Sequence, residues 1–145
     1  MPAYDPATNP LNTTEWAYPV TECVHVAAMA LSVGCIGLVD LRMLGMGLRS
    51  VTAAELVRET EWWTILGLFL AISSGLLIFS SDPVHIMANG SFQFKMAVLT
   101  TALIFNYTIH RSVALSGSGA GPVVACLSIA LWIAPIAAGI FIAFL

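Results

Sequence analysis

The run VVACLSIALWIAPIAAGIFIAFL, residues 123–145, is 23 residues long and contains no charged side chain. A helix needs roughly 20 apolar residues to cross the hydrocarbon core of a bilayer. A second run, WWTILGLFLAISSGLLIFSS at residues 62–81, has the same character. Both runs predict membrane-spanning helices, because backbone groups within lipid must form their hydrogen bonds internally.

The composition extends this prediction to the whole chain. Of its 145 residues, 59% are hydrophobic and 9% are charged, whereas soluble domains carry roughly 25% charged residues. The apolar side chains must therefore face lipid rather than water. The chain has a net charge of −3 and no basic run, which argues against a nucleic-acid partner.

Two further stretches, about residues 21–46 and about residues 92–111, are long enough to span a membrane if polar residues are accepted near their ends. The four spans are joined by short connections, which are typical of sequential neighbours in a bundle. We therefore predict an all-α integral membrane protein, a four-helix up-down-up-down bundle over residues 18–145. An extended segment over residues 1–17 is expected to precede it.

The basic residues predict the orientation of this bundle. Arg42, Arg49 and Arg58 follow the first span and Arg111 follows the third, whereas only Lys95 lies on the opposite side. Positively charged residues collect on the cytoplasmic side of a membrane. Both termini are therefore expected on the outer, periplasmic side of a bacterial inner membrane.

The connections carry signals for helix boundaries. Thr52 and Glu55 have the spacing of a capping box at a helix start. The run Ser81-Asp82-Pro83 is expected to end the second span, since proline does not continue a helix easily. The pair Asn89-Gly90 predicts a turn.

Histidines are the first candidates for a functional site, because ionisable residues inside a membrane are costly and need an explanation. His25 lies one to two turns inside the outer end of the first span, and His85 follows the second span at about the same depth. Neutral imidazole binds haem iron well. The pair is therefore a candidate bis-histidine haem site. The alternatives are an interfacial His25 bonded to a backbone carbonyl and a His85 that is a plain loop residue.

Lys95 begins the third span, where its amine could reach the interface or pair with a haem propionate. Lys95, Leu99, Ala102 and Asn106 follow one another at spacings of four, three and four and so share one helical stripe. We expect this stripe to face the interior of the bundle. Asn106 is expected to form a hydrogen bond between helices.

Asp40 and His110 define an inner layer. Asp40 and Arg42 are expected to form an ion pair at the inner boundary or to contact the next loop. His110 is expected to be a boundary residue beside Arg111, with ligation of a second haem together with a methionine of the first span as the alternative.

The first span reads CVHVAAMALSVGCIGLVDLRMLGMG, with an early histidine and an Asp-Leu-Arg-x-Leu-Gly exit. The third reads NGSFQFKMAVLTTALIFNYTIHR, with Phe-x-x-Lys, then Asn, then His-Arg. Over about residues 20–112 this pattern resembles small bacterial inner-membrane proteins of unknown function, which are distantly similar to copper-resistance D-type proteins and to haem-b four-helix cytochromes. By this resemblance the matching positions are His25, Lys95, Asn106 and His110.

Three functions remain open. The first is a b-type haem subunit that moves electrons between quinone and a periplasmic redox partner. The second is a copper or small-solute membrane protein that uses His25, His85 and methionines, since thioethers favour Cu(I). The third is a non-catalytic anchor or accessory subunit of a larger membrane complex or a homo-oligomer. The sequence has no catalytic triad, phosphate-binding glycine loop or HExxH motif, so a stand-alone enzyme is the less favoured interpretation.

Overall fold

The computed structural model describes residues 4–142 of the chain, and this part is helical with no strand. Its helices are α1 (Pro10–Thr13), α2 (Ala17–Met43), α3 (Ala53–Ser81), α4 (Pro83–Ala88), α5 (Gly90–Phe105), α6 (Arg111–Ser116) and α7 (Gly121–Ile142). A 3-10 turn at Pro6–Thr8 precedes α1. A π-turn at Asn106–His110 joins α5 to α6.

Three of these helices, α2, α3 and α7, are long and apolar enough to cross a membrane. They indicate a multi-pass membrane protein, in agreement with the prediction. The third predicted span takes a different form, because its helical path runs from α5 into α6 through the π-turn. Turns of this type are frequent at functional sites, and this one contains two of the candidate residues.

The centre of the bundle is an apolar cluster that draws one residue from each long segment. Its buried members are Ile36 on α2, Leu68 on α3, Ala102 on α5 and Trp132 on α7. Helix α2 contacts both α3 and α7, and α5 contacts α7. The four segments therefore share one core.

Helices α2 and α3 lie close together at Gly67. A Cβ atom on this residue would lie 2.9 Å from the carbonyl oxygen of Ala28 and 2.9 Å from the backbone nitrogen of Ser32. Small residues permit such close backbone contact in membrane bundles. The absence of a side chain at Gly67 therefore sets the distance between the two helices.

The N-terminal segment is not extended as expected. Residues 6–13 form the 3-10 turn and α1, each starting with a proline, whose fixed φ angle suits the first position of a helix. Asp5 caps the first turn and Asn9 caps the second through their side-chain oxygens. Local capping thus outweighs the extended conformation that three prolines suggest.

The same segment closes the C-terminal end of α3. Asn9 Nδ2 donates to the carbonyl oxygen of Ser80 at 2.7 Å, and Asn12 Nδ2 donates to that of Ser81 at 2.8 Å. The hydroxyl of Tyr4 also contacts Ser80. The last carbonyl groups of a helix have no partner within it, so these side chains satisfy groups that would otherwise need water.

The predicted boundary signals are confirmed. The backbone N–H of Thr52 donates to Glu55 Oε2 at 2.7 Å and the N–H of Glu55 donates to Thr52 Oγ1 at 3.2 Å, which completes the capping box of α3. Helix α3 ends at Ser81, before Asp82 caps α4, and Asn89 caps α5.

Candidate functional site

Asp40 on α2 is the most deeply buried charged residue in the described part of the chain, with 1% of its surface exposed. Its Oδ1 accepts a hydrogen bond from Nε2 of His110 at 2.7 Å, and its Oδ2 accepts one from the hydroxyl of Ser128 at 2.8 Å. These side chains come from α2, the π-turn and α7. We call the end of the bundle where they meet the Asp40 end. Both carboxylate oxygens have a partner, which offsets the cost of burying the acid.

The predicted ion pair between Asp40 and Arg42 is wrong. Residues two positions apart lie about 200° apart around an α-helix, so Arg42 points away from the buried face that carries Asp40. Arg42 Nε instead donates to the carbonyl oxygen of Val51 in the connection to α3. The alternative, a contact with the next loop, is therefore correct for Arg42.

His110, expected at the boundary beside Arg111, is buried inside the bundle, with only 3% of its surface exposed. Its neighbour Arg111 forms the boundary contact, donating through both terminal nitrogens to the two carboxylate oxygens of Glu61. Such two-point pairs fix orientation as well as supply attraction. The pair joins α6 to α3 at the edge of the Asp40 end.

Asn106, at the start of the π-turn, is 7% exposed, and its Oδ1 has no hydrogen-bond partner among the described residues. The predicted hydrogen bond between helices is therefore not formed by this atom. A buried polar atom without a partner costs about 1–3 kcal/mol.

A cavity of about 30 Å³ lies beside Asn106, between α2, α3 and the π-turn. Its lining combines apolar side chains of α2 and α3 with polar side chains of α3, the π-turn and α6. The apolar residues are Ile36, Val39 and Val57, and the main polar ones are Thr60, Thr64, Asn106 and His110. The Asp40 end therefore combines a buried acid, an imidazole and a small polar cavity.

The opposite end of the bundle is organised around His25, and we call it the His25 end. Nδ1 of His25 lies 2.9 Å from the carbonyl oxygen of Ala71 and 3.1 Å from the hydroxyl oxygen of Ser74, both on α3. Since a carbonyl only accepts, Nδ1 carries the hydrogen and Nε2 of the neutral ring is free to bind a ligand. The carbonyl contact is the alternative expected for this residue.

The pairing of His85 with His25 at one haem iron stays a prediction. His85 lies on the surface of the short helix α4, where its backbone N–H is bonded to Asp82 Oδ1 at 3.2 Å. Within the described residues, no group of three or more His, Cys, Asp or Glu is arranged to hold a metal ion.

The stripe that begins at Lys95 faces the interior, as predicted. Lys95 is partly buried, with Nζ 3.6 Å from the position of a Cβ on Gly139 of α7. Leu99 packs on the central cluster and Ala102 is fully buried within it. The stripe therefore runs from the His25 end to the π-turn along the inside of the bundle.

A family described as a family of unknown function (DUF6644) matches residues 15–145. The chain belongs to this family. No curated protein and no solved structure matches the chain. The match agrees with the predicted resemblance to proteins of unknown function. It adds no support for the more distant similarity to copper-resistance D-type proteins or haem-b cytochromes.

The region matched by DUF6644 contains both ends of the bundle. Sequence reasoning missed Ser128, although a hydroxyl in an otherwise apolar span was a usable signal. It also missed Thr60 and Thr64, which lie four residues apart on the α3 face that turns towards the cavity. In this DUF6644 chain the sequence therefore identified the ionisable groups but not the hydroxyls around them.

Proposed function

We propose that the protein transfers protons at the Asp40 end of the bundle, with the Asp40–His110 pair as the group that binds them. The observation that supports this function is the buried Asp40 carboxylate, bonded to an imidazole inside a multi-pass membrane protein. Ionisable residues within membrane segments are rare and often belong to proton relays. An imidazole can accept a proton at one nitrogen and release one from the other.

The relay would serve one side of the membrane only. The apolar cluster around Trp132 and Ile36 separates the Asp40 end from the His25 end. Dry apolar packing offers no hydrogen-bonded path for a proton. This arrangement suits a subunit that takes up or releases protons for a partner reaction, and it does not suit a proton channel.

The proposal includes the topology expected from the sequence. The helical path from α5 to α6 would be the fourth membrane crossing, with both termini on the periplasmic side of the bacterial inner membrane. Arg42, Arg49, Arg58 and Arg111 then lie on the cytoplasmic side together with the Asp40 end. Protons would accordingly enter from the cytoplasm.

Exchange of the His110 ring proton with solvent tests the relay directly. In nanodisc-embedded protein labelled with ¹⁵N-histidine and ¹⁵N-tryptophan, we expect the Nε2–H signal of His110 to disappear as soon as the sample is moved into D₂O. The indole N–H of Trp132 is buried in the apolar cluster without a partner among the described residues. It is the internal reference and should persist for hours. Equal protection of both signals would show a sealed structural pair and would overturn the proposal.

A second function, electron transfer through a b-type haem, is supported by the geometry of His25. Histidines that bind metals usually donate their other ring N–H to a carbonyl or carboxylate group, as His25 does to Ala71. His25 and His85 would hold the haem iron, and Lys95 would pair with a propionate. Haem supplies one-electron transfer when bound, so quinone and a periplasmic redox protein are the proposed partners.

An absorption spectrum of the purified protein tests this second function. Protein produced with haem supplied should show a Soret band that shifts on reduction with dithionite and is lost in His25→Ala. The matched control is His110→Ala, which should keep the band because His110 lies at the other end. Colourless but folded wild-type protein would exclude haem. Copper found by metal analysis of that sample would favour the copper alternative, and stoichiometric co-purification with neighbours would favour an accessory subunit.

A further inference from the structure

The buried residues on the helical path from α5 to α6 repeat every four positions. They are Ala102, Asn106, His110 and Ala114, and each has at most 7% of its surface exposed. In a regular α-helix four residues turn through about 400°, so each step of four ends about 40° beyond a full turn. Over three steps the side chains would spread across about 120° of the helix surface. A regular α-helix would therefore not bury all four of them on one face.

The π-turn corrects this drift. The N–H of Arg111 donates to the carbonyl oxygen of Asn106, five residues earlier. A turn closed by such a bond is wider than an α-turn and takes in one additional residue, so each of its residues turns through a smaller angle. The additional residue keeps His110 on the buried face, where its Nε2 lies 2.7 Å from Asp40 Oδ1.

A return of this turn to α geometry would move His110 by one position. In an α-turn the N–H of His110, rather than that of Arg111, would bond to the carbonyl oxygen of Asn106. His110 would then occupy the backbone position of Arg111, whose guanidinium contacts both carboxylate oxygens of Glu61 on α3. The imidazole would leave the buried Asp40 and turn towards Glu61, whose side chain is 36% exposed.

The surroundings of the π-turn leave room for this movement. The cavity of about 30 Å³ between the π-turn, α2 and α3 has both His110 and Arg111 in its lining. Helix α6 is only six residues long, and Gly117 follows it with a φ of +64°. Residues 118–120 are exposed, and exposed loops tolerate added residues. The connection to α7 can therefore take up the residue that leaves the turn.

The contacts inside the bundle would largely survive the shift. Oδ2 of Asp40 is bonded to the hydroxyl of Ser128 on α7, which lies outside the moving segment. Val113 would occupy the position of Ala114, which packs in an apolar cluster with Val57. An apolar side chain would therefore fill that position in both registers.

We infer that the π-turn is a register switch, which carries His110 between Asp40 and the edge of the bundle at Glu61. The shift itself is independent of the proposed proton transfer. Only its use as a gate rests on that function, since His110 would exchange its ring proton with water beside Glu61 and then return to Asp40.

Deletion of Thr108 tests the switch, because it removes the additional residue and leaves the flanking helices in place. Thr108 is exposed, and its hydroxyl is bonded to the carbonyl oxygen of Ile104. In nanodisc-embedded wild-type protein we expect ¹⁵N relaxation dispersion at residues 107–116, which reports motion in microseconds to milliseconds. The deletion should abolish it. Thr108→Val is the matched control, since it keeps the number of residues, and it should retain the dispersion.

A second variant tests the switch without a deletion. Arg111 contacts Glu61 only in the present register, so Glu61→Gln should favour the shifted one. We expect its population to rise by up to about fivefold, the factor that corresponds to a partly exposed ion pair. Glu59→Gln, at an exposed carboxylate of the same helix, should leave the population unchanged. Near-ultraviolet circular dichroism of the tryptophans checks that each variant is folded.

The outcomes separate the switch from the proposed function. Flat dispersion profiles in the wild type would overturn the inference, as would equal profiles in the wild type and the folded deletion variant. Equal populations in Glu61→Gln and Glu59→Gln would also overturn it. Exchange of the His110 ring proton that is as fast in the deletion variant as in the wild type would reject the gate and leave the relay standing. Slow exchange in the wild type with intact dispersion would reject the relay alone.

Discussion

The two ends of the bundle place a histidine against a neighbouring helix in different ways. At the His25 end, the imidazole donates to the backbone carbonyl of Ala71, which lies within α3, and the His25 side chain is partly buried. At the Asp40 end, His110 is almost fully buried and contacts a carboxylate that is itself buried. Residue type alone therefore does not decide the role. Because its partner is a buried carboxylate, we expect the contact at the Asp40 end to be the more costly of the two to lose.

The largest loss of stability is expected when the Asp40 carboxylate is removed, and this loss tests the difference between the two ends. In Asp40→Ala, both His110 and Ser128 lose their acceptor inside the bundle. Breaking a buried pair by removing one partner costs about 3–5 kcal/mol. We expect a fall of that size in the free energy of unfolding, measured by steric trapping or by SDS titration in mixed micelles.

Glu59→Ala is the control for this prediction, because Glu59 is an exposed carboxylate on α3. It should leave the unfolding transition unchanged. If Asp40→Ala were as stable as the control, the buried pair would contribute nothing to the fold, and the contrast between the two ends would disappear.

Gly67 lies between the two ends, and its substitution tests whether they depend on the same helix contact. In Gly67→Ala, the new Cβ would meet backbone atoms of Ala28 and Ser32, which cannot rotate away. Overpacking of this kind costs about 1–3 kcal/mol. We expect reduced stability by the same unfolding assay. Gly37→Ala is the control, since a Cβ there would have no atom within 4 Å, and it should be neutral or slightly stabilising.

A smaller effect is expected at the His25 end. His25→Leu removes a hydrogen bond to Ala71 and leaves no charge unpaired. Hydrogen bonds between membrane helices average about 0.6 kcal/mol. His110→Leu leaves the Asp40 carboxylate without its imidazole partner and should cost several times more. Similar losses for the two variants in the same unfolding assay would contradict the difference between the ends.

The order of the long helices along the chain, and the depth of each residue along its helix, could largely be predicted from the sequence. Apolar runs locate α2, α3 and α7, and the Thr52–Glu55 spacing marks the start of α3. Depth follows from position along a helix, because each residue adds about 1.5 Å. The assignment of Asp40 and His110 to one layer was correct for this reason.

The contacts around the helix axes could not be predicted in the same way. His110 meets Asp40 across 70 positions of sequence, and that meeting depends on how each helix is rotated and how closely its neighbours approach. Gly67 permits one such close approach because glycine has no side chain. Periodicity assigned Asn106 to the interior, but it could not show that the Asn106 oxygen would lack a partner.

The smallest predicted effect concerns the segment that closes α3. Asn12→Ala removes the donor to the carbonyl oxygen of Ser81, and Asn9 still bonds to that of Ser80. Because the contact lies at a helix end, water can replace the lost donor. We expect a change within about 0.5 kcal/mol in global stability, the range of substitutions away from buried networks. Faster amide hydrogen exchange confined to residues 4–16 and the end of α3 should accompany it. Faster exchange that spread to His110 would show that the two ends of the bundle open together through α3. It would contradict the view that each end unfolds locally on its own.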